Sequence, residues 1–296
     1  MGTLNIYSNT IFSADFFRFA GQKRLCVNIF DRYGNALGRF VPSENGIRGK
    51  TMLKQAAIYL DEKQRLQIAR AMEISAFHNL RSNLRYYAKI RRSERLNEGV
   101  QLLNNVIKEL NEASDINKMM LTEARGRQIY YTMFNEIILN GDFFFTTRTR
   151  RPPKDPLNAL ISYGNTYLYQ RVAAEIEKSG LDIRIGFLHS TNNRSQTLNL
   201  DIAELFKPLI VDRAIFTLVN KRMLDASDHF EHVQQEGVYL NREGKRIFLN
   251  ELDTKIYQKQ TQDNKPLSYD TRIREEVSKL YRYICYGDPY KPYKYY

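Results

Sequence analysis

A helical repeat of apolar residues runs through most of the sequence and limits the folds that the chain can adopt. Between residues 50 and 92, apolar side chains recur every three or four positions, which predicts a long amphipathic helix. The same period returns at 97–113 and 114–138. Another helix is predicted from Asp155, which can cap it, with Pro156 in its first turn. The residues of the first apolar face are Leu53, Ala56, Ala57, Leu60, Leu66, Ala69, Met72 and Ala76.

The first 46 residues follow a different pattern. LNIYS is β-prone, SADFFRFAGQKR is helical up to about Gly21, and two further β-prone runs flank DRYGN, which predicts a hairpin. The predicted fold class is therefore mainly α, with a small α/β N-terminal piece that contains a β-hairpin. This piece is too small to bury a sheet by itself, so we expect it to pack on the rest of the chain.

The domain division predicted from these patterns is 1–46 for the β-rich N-terminal piece and 47–296 for the helical domain, which ends in a Tyr-rich tail. Two segments inside the helical domain are predicted to be extended. One is 181–189, LDIRIGFLH, and the other is 237–249, which reads as a β-hairpin around NREG.

Composition excludes several classes of protein. The chain has 296 residues, with 45 Lys+Arg against 33 Asp+Glu and a net charge of +12. Hydrophobic residues make up 43%, enough for a core, so a disordered chain is excluded. The sequence contains no apolar run of about 18 residues, which is the length that would predict a membrane-spanning helix. Two cysteines, Cys26 and Cys285, support neither a disulfide framework nor a zinc site, and without a signal peptide the expected location is the cytoplasm.

The basic residues form two strips, one within RSNLRYYAKIRRSER and one within RTRRPPK. They are either solvated faces or phosphate-binding surfaces. Tyr86 and Tyr87 lie inside the first strip, and aromatic rings among basic residues favour nucleic acid over an anionic membrane surface. The residues expected to bind nucleic acid in the strips are Arg81, Arg85, Arg91, Arg92, Arg148, Arg150, Arg151 and Lys154.

His189 lies at the end of the predicted extended run and before a polar loop. Asp201 and Glu204 follow on one face of a helix, and a histidine with two carboxylates can hold Mg²⁺ or Mn²⁺. The alternative is that His189 caps a turn and the acids are solvated, and spacing alone favours this alternative. Glu123 lies mid-helix, four residues before Arg127, which is the spacing of a surface ion pair.

Several motifs in fixed order resemble a known family. They are RRPPKDPLNALISYGNTYLY, GFLHSTNNRSQTLNLDIAELFKPLIVDR and the tail YGDPYKPYKYY. KQAAIYLDEKQRLQIAR and GVYLNREGKRIFL are similar to the same family, so the likeness covers nearly the whole chain from about residue 25. Each motif alone is weak, but the combination is specific. The family is that of the CRISPR-associated spacer-acquisition endonucleases and integrases, the first of the Cas proteins.

The resemblance implies a metal site for Mg²⁺ or Mn²⁺ in a catalytic helical domain. Its ligands would be Glu123, His189 and Glu204, and Asp201 matches a further catalytic acid that supports the site. His189 would bind metal through neutral imidazole, so metal affinity is expected to fall as the pH drops through its titration. Asn158 and Ser162, just after the second basic strip, are implied as further contacts to nucleic acid.

The chemistry implied by the resemblance is transesterification, in which the 3′-OH of a short DNA duplex attacks a phosphodiester at the edge of a CRISPR repeat. The implied partners are double-stranded DNA, a second copy of the chain in a homodimer or tetramer, and the second, small Cas protein. No membrane partner is implied. Water in place of the 3′-OH would give nuclease activity.

The sequence departs from the family pattern at three places. Ala124 stands where a Gly is frequent, and Gln128 falls near a usual Arg. The early strands of the family's N-terminal domain are missing, so the chain is expected to be a truncated form or a compact member with a shortened N-terminal domain and its own mode of assembly.

Two other functions remain open at this point. A non-catalytic architectural DNA-binding protein would bind with steep salt dependence and no need for divalent ions. An RNA-processing nuclease would prefer a substrate with a 2′-OH. The Tyr-rich tail either packs on the helical domain or contacts DNA or a partner, and packing is favoured.

Overall fold

The protein is described by a computed structural model that covers residues 3–7, 10–31, 33–34, 36–42, 49–189, 196–233, 237–262 and 265–295. Helices form most of this part of the chain, and a small β-containing region precedes them. The predicted fold class is confirmed. The predicted domain boundary between residues 46 and 47 lies outside the described residues and stays a prediction.

The N-terminal region is a three-stranded sheet with one helix. Strand β1 runs parallel to β2, and β2 pairs antiparallel with β3, so the predicted hairpin is confirmed. Ser13 caps the helix by accepting a hydrogen bond from the amide of Phe16. The elements are β1 (Thr3–Ile6), α1 (Ala14–Gln22), β2 (Cys26–Phe30) and β3 (Ala36–Phe40).

The helical region contains the remaining elements and two short irregular helices, a 3-10 turn at Gly141–Phe143 and a π-helical turn at Pro208–Asp212. The helices are α2 (Gly49–Leu60), α3 (Glu62–Arg91), α4 (Glu94–Glu112), α5 (Ile116–Thr132), α6 (Phe134–Ile137), α7 (Pro156–Ser179), α8 (Leu198–Glu204), α9 (Arg213–Asn220), α10 (Arg242–Tyr257) and α11 (Tyr269–Tyr286). The strands are β4 (Phe230–Val233), β5 (Gly237–Leu240), β6 (Lys259–Gln262) and β7 (Lys265–Ser268).

The small sheet rests on α7, as its size required. The ring of Tyr7 stacks on Phe30 with 4.4 Å between centroids and lies 6.1 Å from the ring of Tyr163 on α7. Arg39 on β3 forms an ion pair with Glu177 near the C-terminal end of α7. The expectation that this piece packs on the rest of the chain is confirmed.

Helices α3, α5 and α8 carry carboxylates of the candidate site and bring them close together. Helix α5 approaches α3 at Gly126, where a Cβ atom would lie 2.3 Å from the ring of Phe77. Only a residue without a side chain allows this distance. The contact places Glu73, on α3, beside the residues that follow Glu123 on α5.

The segment 237–249 is not the predicted hairpin. Gly237–Leu240 forms β5 and pairs with β4. Asn241 then accepts a hydrogen bond from the amide of Gly244 at 2.9 Å and caps α10. The prediction was wrong because NREG serves as a helix start here: Phe248, Leu252 and Ile256 continue at helical spacing into the core.

The Tyr-rich tail packs along the helical region. The hydroxyl of Tyr290 and the backbone amide of Tyr293 both donate to Glu276, a fully buried carboxylate on α11. The amide of Tyr295 donates to Asn79 on α3 at 2.8 Å. The packing interpretation of the tail is therefore correct for these tyrosines. Among the described helices, none is long and apolar enough to cross a membrane.

Candidate metal and DNA site

His189 lies at the end of an irregular segment and not at the end of a strand. Residues 181–189 form turns and bends, so the extended run predicted there is wrong. Side chains and backbone both supply its hydrogen bonds: the amide of Gly186 donates to the hydroxyl of Thr197 at 2.8 Å, that hydroxyl donates to the carbonyl of Arg184, and the amide of Thr197 donates to the carbonyl of Ile183. Leu181 and Asp182 are buried, Arg184 is exposed, and Gly186 to Leu188 are buried again, so the burial of this segment does not alternate as that of a strand would.

Asp201 holds this loop and His189 together. Its carboxylate accepts hydrogen bonds from the amides of Phe187 at 2.5 Å, Leu188 at 3.1 Å and His189 at 3.1 Å. It also lies 2.7 Å from Nδ1 of His189. A carboxylate that bonds one ring nitrogen fixes the orientation of the ring and leaves Nε2 as its outward ligand atom. The predicted supporting position of Asp201 agrees with this geometry.

Gly186 is required for this arrangement. A Cβ atom there would lie 2.8 Å from Oδ2 of Asp201 and 2.9 Å from the backbone carbon of Thr197. Any side chain at this position would separate the loop from α8. The close approach of the loop backbone explains why a glycine precedes Phe187 in the GFLH motif.

Glu123 and Glu204 are joined by one guanidinium. Arg127 donates from Nε to Oε1 of Glu123 at 3.1 Å and from its terminal nitrogen to Oε2 of Glu204. Lys207 donates to the other oxygen of Glu204. The predicted surface pair of Glu123 and Arg127 is therefore a partly buried bridge between α5 and α8.

The charges of this cluster strongly influence one another. Burial acts to raise the pKa of Glu204, but Arg127 and Lys207 outweigh it and lower that pKa to about 2. Burial acts to lower the pKa of Arg127 and of Lys207, but the carboxylates beside them raise both. For His189 too, burial opposes the charged form, and the hydrogen bond and charge of Asp201 outweigh it, so its pKa is raised.

Glu73 is a fourth carboxyl group at the cluster that the sequence reasoning missed. It lies on the buried face of α3, is 1% exposed, and neither of its oxygens has a hydrogen-bond partner among the described residues. Burial raises its pKa well above the usual value, and the charge of Glu123 adds to this, while Arg127 opposes it. The sequence contained a signal for this burial, because Glu73 lies four residues after Ala69 and three before Ala76 and so falls on the predicted apolar face.

The donor set suits the implied metal. Two carboxylates and one imidazole are ligands for Mg²⁺ or Mn²⁺, and the buried oxygens of Glu73 leave acceptor capacity in the cluster that no described donor uses. As the side chains stand, no three His, Cys, Asp or Glu residues in the described part of the chain are grouped closely enough to hold an ion. Arg127 and Lys207 engage the carboxylate oxygens instead.

A second buried carboxyl, Asp212, lies behind the cluster. It accepts a hydrogen bond from the hydroxyl of Tyr130 at 2.9 Å, and that hydroxyl accepts one from Asn83. Burial raises the pKa of Asp212 to about 7, although the hydrogen bond from Tyr130 opposes the shift. None of these three residues was singled out from the sequence.

The raised pKa of Asp212 predicts a pH dependence of stability. The folded protein holds a proton that the unfolded chain releases near its usual value, so this stabilising contribution is complete at low pH and is lost as the pH rises through 7. The free energy of unfolding should fall by about 2 kcal/mol between about pH 5 and pH 7 from this group. Urea unfolding of wild type and Asp212→Asn across this range should show that the variant lacks this slope. If the free energies of unfolding of wild type and Asp212→Asn fall in parallel with pH, the raised pKa assigned to Asp212 is wrong.

The second basic strip divides into exposed and buried residues. Arg150, Arg151 and Lys154 are exposed, as expected of phosphate contacts. Arg148 is partly buried and donates to Asn158 at 2.8 Å and to Ser162 at 2.9 Å.

Asn158 does not lie on the outer surface, whereas Ser162 is partly exposed and stays a predicted contact to DNA. Asn158 is fully buried, accepts from the amide of Thr149 at 3.0 Å and donates to the carbonyl of Thr147 at 2.8 Å. Both side chains accept hydrogen bonds from Arg148. The prediction that Asn158 itself contacts DNA is therefore corrected: these two side chains hold Arg148 in place. The asparagine of the motif shapes the loop before α7.

The first basic strip lies on α3 and is also divided. Arg85 and Arg92 are exposed, whereas Arg81 donates to Asn104 at 2.7 Å and Arg91 donates to the carbonyl of Ile137 at 3.1 Å. The last two side chains bind neighbouring elements of the protein. Contact of this strip with DNA stays a prediction, strongest for the exposed residues.

The departures from the family pattern at Ala124 and Gln128 leave the cluster intact. Both residues are exposed on α5, on the side away from the buried carboxylates. Arg127, one position earlier than Gln128, supplies the guanidinium that meets Glu123 and Glu204.

Solved structures share this fold. The structure of TM1797, a Cas1 protein from Thermotoga maritima, is similar with a TM-score of 0.83 and 34% identity, over 99% of this chain and 89% of that chain. A casposase bound to an integration product has a TM-score of 0.84 at 21% identity, over 96% and 78% of the two chains. This second likeness shows the fold alone.

The chain belongs to the CRISPR associated protein Cas1 family, whose model matches residues 1–254. A relative from Thermodesulfovibrio yellowstonii, named CRISPR-associated endonuclease Cas1 2, is 39% identical over 279 residues, which are 93% of this chain and 83% of the relative. The family membership predicted from the sequence motifs is confirmed. The roles of the individual site residues stay predictions.

Proposed function

We propose that this protein is a divalent-metal-dependent DNA endonuclease and integrase that inserts short DNA duplexes into a CRISPR array. The observation that carries the proposal is the cluster in which Glu123 and Glu204 share Arg127 while His189 is held by Asp201 beside Glu204. Membership of a family in which a relative of 39% identity is named an endonuclease supports nuclease chemistry.

The proposed reaction is a direct transesterification. The 3′-oxygen of the incoming duplex forms a bond to a phosphorus of the repeat backbone as the bond from that phosphorus to the 3′-oxygen of the cut strand breaks. The proton of the attacking hydroxyl leaves to solvent, and the released 3′-oxygen takes one up. With water in place of the hydroxyl, the same displacement is hydrolysis.

Glu123, His189 and Glu204 are the residues proposed to hold Mg²⁺ or Mn²⁺. When bound, such an ion polarises a phosphoryl oxygen and stabilises charge on the entering or leaving oxygen. Asp201 keeps Nδ1 of His189 occupied and so directs Nε2 toward the cluster. The raised pKa of His189 implies that protons compete for the ring, so metal affinity should fall as the pH drops through this titration.

The exposed basic residues are proposed to position the DNA backbone. Arg150, Arg151 and Lys154 lie in the segment directly before α7, next to Arg148. Burial lowers the pKa of Arg148, and Tyr131 and Tyr169 nearby oppose this shift. The ammonium group of Lys207, which belongs to the cluster, lies over the ring of Tyr169, 4.8 Å from the ring centroid. The basic segment therefore borders the carboxylate cluster. Such contacts place the strand without reading its sequence.

The proposed assembly is a homodimer or tetramer on DNA, with the second, small Cas protein as a further partner. The fold shared with a casposase bound to an integration product supports DNA as a partner.

The experiment that tests the proposal uses a supercoiled plasmid with a CRISPR repeat and a labelled short duplex with free 3′-OH ends. Wild-type protein is incubated with Mn²⁺, with Mg²⁺ or with EDTA, and with or without a small Cas2 protein. Label joined to the repeat plasmid in divalent ion only is the expected result. A plasmid without the repeat controls for site selection.

Other outcomes separate the alternatives. Nicking of plasmid without joining would favour a nuclease. Binding of DNA that is insensitive to EDTA, with no joining or nicking under any condition, would contradict the proposal and favour an architectural protein. Faster cleavage of an RNA duplex of the same sequence would favour RNA processing.

A further inference from the structure

Arg127 is placed where it neutralises both carboxylates proposed as metal ligands. Its side chain is 11% exposed, and it donates to Glu123 on its own helix and to Glu204 on α8. A buried guanidinium between two carboxylates supplies one of the two positive charges that a divalent ion would bring. The guanidinium and the ion cannot both keep the same oxygens.

Glu73 is the one buried carboxyl of the cluster without a donor among the described residues. Both oxygens are inaccessible to solvent and neither accepts a hydrogen bond. A buried carboxyl in this state is costly, because it has lost its hydrogen bonds to water and gained none in the protein. The cation that acts on Glu73 is Arg127, which also meets Glu123 and Glu204.

The close approach of α3 and α5 places Arg127 near Glu73. Gly126 precedes Arg127 and brings α5 against Phe77 of α3, one turn after Glu73. The guanidinium of Arg127 lies 5.6 Å from the ring of Phe77. Because Glu73 lies one turn before Phe77 on the same helix, the guanidinium lies near Glu73, and their charges interact.

We propose that Arg127 is a resident counter-ion that holds Glu123 and Glu204 before metal binds, and that Glu73 receives its guanidinium when the two carboxylates take up a divalent ion. The inference rests on the metal site of the proposed function. Glu73 is then a positioning residue for Arg127, since it acts through the guanidinium. Glu73 lowers the free-energy cost of metal binding, because the guanidinium displaced from Glu123 and Glu204 then pairs with the buried carboxylate of Glu73.

Two other roles of Glu73 lead to different results. If Glu73 binds the ion directly, its loss weakens metal binding whether or not Arg127 is present. If Glu73 only packs in the core, its loss leaves metal affinity unchanged. A double-mutant cycle separates the three cases because it measures whether the two residues act together.

The test measures Mn²⁺ binding to the full chain by the electron paramagnetic resonance signal of free Mn²⁺. The proteins are wild type, Glu73→Gln, Arg127→Met and the double variant. Glu73→Gln should weaken Mn²⁺ binding about tenfold in the wild-type background, the size of other supporting-residue effects, and by less than about twofold when Arg127→Met is present. Arg127→Met should itself tighten Mn²⁺ binding about tenfold.

Stability gives a second readout that does not depend on activity. In EDTA, Arg127→Met should melt at a lower temperature than wild type because its carboxylates lack the counter-ion, and Mn²⁺ should raise its melting temperature more than that of wild type. Arg127→Lys, which can meet only one carboxylate, covers the case in which Arg127→Met does not fold in EDTA, and should also tighten Mn²⁺ binding. Arg125→Met is the matched control on the same helix, since Arg125 is exposed and pairs with Glu109.

The outcomes that overturn the inference are specific. Equal weakening by Glu73→Gln in both backgrounds would make Glu73 a ligand, and unchanged Mn²⁺ affinity in Arg127→Met and Arg127→Lys would remove Arg127 as a competitor. Wild type that binds no Mn²⁺, or His189→Ala that binds it as wild type does, would instead overturn the metal site of the proposed function.

Discussion

Replacement of His189 by alanine is expected to reduce the rate of strand joining by about 10³-fold while leaving DNA affinity within about twofold. His189 presents Nδ1 to Asp201, which leaves Nε2 as its ligand atom, and the ring lies close enough to Glu204 for their charges to interact. Alanine removes this donor but touches none of the exposed basic residues. The loss corresponds to several kcal/mol of transition-state stabilisation.

The measurement is the initial rate at which label from the short duplex joins the plasmid, with DNA affinity taken from fluorescence anisotropy at matched salt. His232→Ala is the matched control, because His232 is exposed on β4, away from the cluster. It should join at the wild-type rate. If His189→Ala also joins at that rate, or if its DNA affinity falls in parallel with joining, the assignment of His189 to the metal site is wrong.

Replacement of Asp201 by asparagine is expected to lower the free energy of unfolding by about 2–4 kcal/mol and strand joining by about 10–100-fold. The fully buried carboxylate accepts from the amides of Phe187, Leu188 and His189 and from the His189 ring. An amide keeps the shape but presents an NH₂ group to donors that need an acceptor. The loop then loses part of its anchorage, and the ring of His189 loses its orientation.

This second prediction has a readout that distinguishes positioning from packing. The hydrogen bond and charge of Asp201 raise the pKa of His189, so in Asp201→Asn the ring should titrate at lower pH. NMR titration of the His189 ring in both proteins tests this directly, and urea unfolding gives the stability change. Asp142→Asn, at an exposed position, serves as control. An unchanged titration of His189 would show that Asp201 does not act on the ring.

Local sequence patterns predicted most of the helical architecture. The start of α7 followed from Asp155 and Pro156, because a cap and a first-turn proline act within a few residues. The predicted hairpin at 237–249 failed for a related reason: the same Asn and Gly that suit a turn also suit a helix start. The strand predicted before His189 failed because β-prone residues do not form a strand without a neighbouring strand to pair with, and this segment is held by Thr197 and Asp201 instead.

The residues of the candidate site were predicted from motifs, but the contacts among them were not. Glu123, His189 and Glu204 came from the resemblance, since spacing alone left His189 and the acids open. Nothing in the spacing showed that Asp201 holds three loop amides.

Sequence by itself determined the helical class, the family and the residues that carry the proposed chemistry, because periodicity, caps and motifs are properties of neighbouring residues. Only the tertiary structure decided how the buried charges are compensated. Arg127 meets a carboxylate 77 residues away along the chain, and Glu73 faces the same guanidinium from a third helix. The energy of a buried charge depends on what lies within a few ångströms in space, and helix packing, with Gly126 between α3 and α5, sets those distances.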